Sequence, residues 1–128
     1  MSGPARAGLF IYAKDLSRLA KFYESFLGMT RAHATPDLVV LRSPDIQLTL
    51  HAMPPAIAAS VIMSDPPAKR DNTALKFFFT VPSLAQAQDL APSLGGEVLQ
   101  EQWRGPGFTV CNAVDPEGNI FQVRESAP

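Results

Sequence analysis

The chain has 128 residues, of which 46% are hydrophobic and 18% charged, and its formal net charge is -1. That balance suits one soluble globular domain with a substantial core, and it excludes broad electrostatic attraction to nucleic acid or to an anionic membrane. The apolar runs fall well short of the roughly 20 residues of a membrane span, residues 1–6 lack the apolar stretch of a secretory signal, and the single cysteine, Cys111, excludes an intramolecular disulfide, so a cytoplasmic location is expected.

Residues 8–13 (Gly-Leu-Phe-Ile-Tyr-Ala) form a β-prone run ahead of Lys14-Asp15 and predict a first strand. A helix follows, because Leu16, Leu19, Ala20, Tyr23, Phe26 and Leu27 recur at helical spacing. Asp15 caps its first turn, and Gly28 ends it in a left-handed conformation. Strands are predicted at 30–34, 37–42 and 46–51. In the last, Ile46, Leu48 and Leu50 share one face, and Gln47, Thr49 and His51 share the other. Residues 54–72 read as a linker, with Pro54-Pro55, Pro66-Pro67 and the polar run Lys69-Arg70-Asp71-Asn72. Within it, Ile57–Met63 is apolar enough for a short packed turn or helix.

A strand at 75–81 opens the second half. Ser83 starts a helix with Gln86 at capping-box spacing, and Leu84, Ala87, Leu90, Ala91 and Leu94 form its buried stripe. Pro92 should loosen the last turn, and Gly95-Gly96 should stop it. Strands at 97–102, 107–114 and 119–125 complete the chain. Phe77, Phe79, Phe121 and Val123 are expected to face the core. Cys111 alternates with Phe108, Val110 and Asn112 and is expected to be buried as a small apolar residue, not used as a nucleophile.

The two halves repeat one another. Asp15-Leu16 returns as Ser83-Leu84, Ser25-Phe26 as Ser93-Leu94 and Gly28 as Gly96, all 68 residues later. Phe10-Ile11-Tyr12-Ala13 is answered by Phe78-Phe79-Thr80-Val81 at the same offset. The organisation is a βαβββ module over 5–53, a linker over 54–72 and a second βαβββ module over 73–126, an α+β class within a single domain of residues 1–128. Two copies of a small unit place equivalent residues around a shared centre.

The segment from Lys14 to Met29 resembles the first helix of the vicinal oxygen chelate superfamily, which includes glyoxalase I, bleomycin-resistance proteins, fosfomycin-resistance enzymes and extradiol dioxygenases. Asp115-Pro116-Glu117-Gly118-Asn119 resembles the turn before that family's final strand. The resemblance implies a fold in which each module forms half of an open curved sheet with helices outside and a small molecule on the concave surface. It also implies a homodimer, in whose contact Ile57–Met63 would pack. Catalytic members hold a divalent metal on side chains from the first and last strands of each module.

By the resemblance, those four positions fall on Gly8, Thr49, Lys76 and Gln122. Glycine has no ligand atom, a threonine hydroxyl is a poor donor, and an ammonium repels a cation. Only Gln122 retains a neutral amide oxygen, so no metal and no cofactor is expected. The expected ligand-binding residues are Thr49, His51, Lys76, Trp103 and Gln122. His51 is the best remaining metal-ligand candidate, but the favoured expectation is that it lines the rim as an uncharged hydrogen-bonding group. Trp103 offers a stacking plane or plain packing. Lys76 pairs either with an anionic ligand or with a nearby carboxylate. Tyr12, Arg104, Phe108 and Arg124 are rim candidates. The expected function is metal-free binding of an aromatic or amphipathic small molecule. The alternative is a metal-dependent lyase, isomerase or dioxygenase of the glyoxalase type, with an atypical site drawn from His51, Gln122 and Glu101 or a partner chain. Neither nucleic acid nor membrane is an expected partner.

Overall fold

A computed structural model describes residues 5–60, 67–70 and 72–128. The chain divides into two compact units, residues 1–62 and 63–128, and each follows the predicted order of strand, helix and three strands. Unit one contains β1 (Gly8–Ala13), α1 (Leu16–Leu27), β2 (Thr30–Ala34), β3 (Leu38–Arg42) and β4 (Gln47–Ala52), followed by the short helix α2 (Pro55–Ala58). Its sheet runs β1-β4-β3-β2, with β1 and β4 parallel and the other pairs antiparallel.

The helix α1 begins and ends where its caps dictate. The Asp15 carboxylate accepts the Arg18 N–H at 3.1 Å, and Gly28 adopts φ 63°. Leu19, Ala20, Phe22 and Tyr23 on α1 are buried, as are Ala13, Val39, Leu41, Leu48 and Leu50 on the strands. Full burial of each large apolar side chain stabilises the unit by roughly 1.5–3 kcal/mol. Arg31 on β2 reaches back to α1, its guanidinium donating to both oxygens of Glu24 at 3.2 Å.

Unit two contains β5 (Phe78–Thr80), α3 (Leu84–Leu90), a 3-10 turn (Ala91–Leu94), β6 (Glu97–Gly105), β7 (Phe108–Val114) and β8 (Ile120–Ser126). Its sheet runs β5-β8-β7-β6 with the same pattern, the first pair parallel. Ser83 accepts the Gln86 N–H, and the Glu125 carboxylate on β8 accepts the Leu84 N–H at 2.7 Å. Phe79, Phe121 and Val123 are buried, and Phe77 stacks on Phe121 at 5.2 Å. The left-handed cap falls on Gly95, φ 86°, one residue before the repeat partner of Gly28. Pro92 has no N–H for an α-helical bond, so the last turn tightens and ends early.

Four expectations need correction, the first being that Leu90, expected in the buried stripe of α3, is 40% exposed. The predicted strand 75–81 shrinks to Phe78–Thr80. Phe78 pairs with Gln122, so Leu75 would meet Asn119, but Arg70 already bridges Asn119 and donates its N–H to Gly118 at 2.8 Å. Leu75 and Lys76 are thereby left outside the ladder. The strand predicted to end at 102 continues to Gly105 as β6, carrying Trp103 opposite Val110. The helical turn of the linker lies at Pro55–Ala58, earlier than Ile57–Met63, of which residues 61–63 lie outside the described residues. Among the described residues, no helix is long and apolar enough to cross a membrane.

The turn into β8 is held by Asp115, fully buried, whose carboxylate accepts the N–H groups of Glu117 and Asn119 and the Asn119 amide. Gly118 has φ 85°, and a methyl group there would run into the Ala68 carbonyl. Gly28 has open space beside it despite its φ of 63°. Gly118→Ala should therefore destabilise by about 2–4 kcal/mol and Gly28→Ala by about 1–2 kcal/mol. Urea unfolding of the two variants checks that order, and equal losses would contradict the close approach at Gly118.

Candidate functional site on the open sheet faces

Strand alternation sorts each sheet into a helix-covered face and an open one. In unit one, the register β1–β4–β3 places Gly8, Phe10 and Tyr12 beside Gln47, Thr49 and His51 on the open face. Phe10 and Tyr12 are 52% and 54% exposed, and Leu48 and Leu50 behind them are 0%. The His51 ring lies against both aromatics, with centroids 6.0 Å from Phe10 in a stacked arrangement and 6.0 Å from Tyr12 edge-on. Its Nδ1 lies 2.7 Å from the Ala52 carbonyl oxygen, so that nitrogen carries the proton and Nε2 offers a lone pair in the neutral ring. Thr49 accepts a hydrogen bond from the Gln47 amide at 3.2 Å. At the Gly8 end of this face lies a hollow of about 390 Å³, lined by Gly8, His33, Val40, Arg42, Gln47 and the residues just before β1.

In unit two, the register β5–β8–β7 places Phe78 beside Gln122 and Asn112, and Thr80 beside Arg124 and Val110, with Trp103 next in that row. The Lys76 ammonium donates to the Asn112 side-chain oxygen Oδ1 at 3.4 Å, which brings it to the row of Gln122 although it lies outside the strand. Trp103 is 43% exposed and Phe78 50%. The Arg124 guanidinium lies over two rings, its central carbon 3.6 Å from the Phe78 centroid and 4.1 Å from that of Phe108. Its Nε is buried and has no hydrogen-bond partner among the described residues. An orphaned N–H of this kind costs about 1–3 kcal/mol.

Lys76, Gln122 and Trp103 thus share the open face of unit two, and Thr49 and His51 share that of unit one. Sequence reasoning placed Arg124 and Phe108 only at the rim and did not single out Phe10 or Phe78. The available signal was the repeat itself, since Phe10 and Phe78 correspond at the 68-residue offset and Arg124 follows Gln122 by the two residues that separate His51 from Thr49.

The four positions implied for a metal do not form a donor set for Zn²⁺, Fe²⁺, Ni²⁺ or Mn²⁺. Gly8 contributes no atom, the Thr49 hydroxyl is engaged by Gln47, Lys76 is a cation, and Gln122 is a neutral amide. Such a metal needs about three donors of imidazole, thiolate or carboxylate type. Among the described residues, no group of three or more His, Cys, Asp or Glu side chains comes together.

The sequence profile of the glyoxalase-like domain matches residues 8–124. The chain belongs to this family. Glyoxalase-like membership accords with the βαβββ repeat and the Asp115–Asn119 turn, and it places the chain in the vicinal oxygen chelate superfamily. Three solved structures share the fold. A glyoxalase/bleomycin resistance protein/dioxygenase family enzyme from Burkholderia phytofirmans is 15% identical with a TM-score of 0.71, over 97% of this chain and 100% of that one. A glyoxalase-related enzyme from Fulvimarina pelagi is 17% identical with a TM-score of 0.68, over 94% and 86%. A glyoxalase/bleomycin resistance protein/dioxygenase from Alicyclobacillus acidocaldarius is 21% identical with a TM-score of 0.60, over 100% and 96%. No curated protein matches the chain significantly.

Cys111 takes no part in the open face of this glyoxalase-like chain. It is fully buried on the helix side of β7, and burial, then the Glu125 carboxylate, pushes its thiol above the ordinary range. Native protein at pH 8 should react with a thiol reagent at least 100-fold more slowly than protein in urea, in line with local protection by burial. Because the folded thiol is the harder one to ionise, its stability contribution is complete below the unfolded value, roughly pH 8.5, and is lost as pH rises further. Urea unfolding at pH 7 and pH 9.5 checks the sign, and Cys111→Ala should flatten the difference.

Proposed function

We propose that this chain is a cytoplasmic, metal-free small-molecule-binding protein of the glyoxalase/bleomycin-resistance kind, which takes an aromatic or amphipathic compound on its open sheet faces. The observation that carries this reading is the pairing of exposed aromatic planes with polar groups on those faces: Phe78 and Trp103 with Gln122 and Lys76, and Phe10 and Tyr12 with Thr49 and His51. Rings left half in water gain on the order of 1–2 kcal/mol each when a flat apolar ligand covers them. Amide, hydroxyl and imidazole groups beside them fix its orientation. Noncovalent binding of this sort asks nothing of Gly8, Thr49, Lys76 and Gln122 as metal donors.

The test is elemental analysis of protein purified without chelator, together with native mass spectrometry against a panel of metabolites and antibiotics. Transition metal well below one equivalent per chain is expected, with retention of at least one planar compound and a change in Trp103 fluorescence on its binding. A full equivalent of Zn²⁺, Ni²⁺, Fe²⁺ or Mn²⁺ bound per chain would overturn the reading.

We also propose a homodimer. The exposed Ile57 on α2 supplies apolar surface for a partner copy. Light scattering at working concentration should give twice the chain mass, and a monomeric mass refutes it.

A further inference from the structure

We infer that the compound bound by unit two carries a carboxylate, and that Arg124 is the residue that recognises it. The inference rests on the small-molecule reading above and names the class of ligand. The central carbon of the Arg124 guanidinium lies over two rings, 3.6 Å from the Phe78 centroid and 4.1 Å from the Phe108 centroid. The edge of the group is a planar fork of N–H donors whose spacing matches the two oxygens of a carboxylate. One donor on that edge, Nε–H, is already out of water and unpartnered among the described residues.

Among the described residues, no group claims this fork. Arg124 forms no ion pair among the described residues. Along β5, β8 and β7, the open face presents Phe78, Thr80, Gln122, Arg124, Val110 and Asn112, with no carboxylate among them. Glu125, next along β8, is turned the other way and accepts the Leu84 N–H. Lys76 adds a second cation to the same face through Asn112. The rings that grip the guanidinium also lower the local dielectric, which strengthens a charge-assisted hydrogen bond made at its edge. Phe78 and Trp103 offer planes beside it, so the ligand is a flat aromatic acid.

The test screens the full chain by ligand-observed NMR against 2-naphthoate, 1-naphthylacetate and indole-3-acetate, each paired with its primary amide. The acids should bind at least tenfold more tightly than their amides. Arg124→Met should weaken the acids roughly tenfold or more and leave the amides within about twofold. Arg124→Lys keeps the charge but loses the fork, and it should fall between Met and wild type; it also carries the test if the Met variant does not fold. The Arg124 Nε–H resonance should shift on adding an acid and not on adding its amide, a signal that a purely structural arginine would not give. Amides binding as well as acids, or substitutions that weaken both alike, overturn the carboxylate inference and leave the small-molecule reading standing. Absence of binding by every acid and every amide at millimolar concentration overturns that reading, and the inference with it.

Discussion

Each four-stranded sheet has one principal helix to cover it, and a helix covers only one face. This constraint organises both units. Strand alternation commits Ala13, Val39, Leu41, Leu48 and Leu50 to the α1 side, where they are at most 3% exposed. It thereby commits Phe10, Tyr12, Thr49 and His51 to the other side. A one-residue slip of β4 against β1 would exchange Leu48 and Leu50 for Thr49 and His51 beneath the helix, so packing energy holds the register. In unit two the same logic buries Phe121 and Val123 and presents Gln122 and Arg124. The open faces are therefore a by-product of core formation, and their chemistry is free to differ between related chains without disturbing the fold.

The turn before β8 links the fold to the position of Lys76. Asp115 gathers three N–H groups from Glu117 and Asn119, and Gly118 lets the 68–70 backbone approach closely enough for Arg70 to bridge Asn119. That bridge occupies the place where Leu75 would have extended β5. The segment before Phe78 leaves the sheet edge, and the Lys76 side chain reaches across to Asn112. A lysine held in the ladder would have its direction set by the pleat. Outside it, the ammonium is tied by one hydrogen bond to a neutral partner, the Asn112 side-chain amide.

Much of this was legible in the sequence, because local signals carried it. The bounds of α1 follow from Asp15 and Gly28, and the alternation of β4 follows from residues 46–51. The repeat located the second module. What escaped depends on contacts between residues distant in sequence. Nothing near Leu75 announces that Arg70 will take its pairing partner. Nothing near Pro92 fixes the cap at Gly95 ahead of Gly96, although Pro92 itself announced a loosened turn. Arg124 read as a rim residue because its environment comes from Phe78 and Phe108, on strands that flank β8 on either side. A guanidinium over two rings cannot be inferred from a period-2 pattern that says only which face it occupies.

The repeat gives a last reason to centre the chemistry of unit two on Arg124. Thr49 lies opposite Phe10 and Gln122 opposite Phe78, so the modules correspond there, and two residues further His51 corresponds to Arg124. In both modules a planar nitrogenous side chain at that position lies over the ring of the first strand, His51 on Phe10 and Arg124 on Phe78. A bound metal brings positive charge to a site only where several donors have been assembled to hold it. A cation built into the chain needs no donors; it needs its charge presented and its solvation replaced. The paired rings do both for Arg124, on a face where Gln122 and Asn112 are neutral and Lys76 is positive. On the proposed reading an incoming oxyanion meets two cations on that face, a physical route by which a face without metal donors selects its ligand by charge.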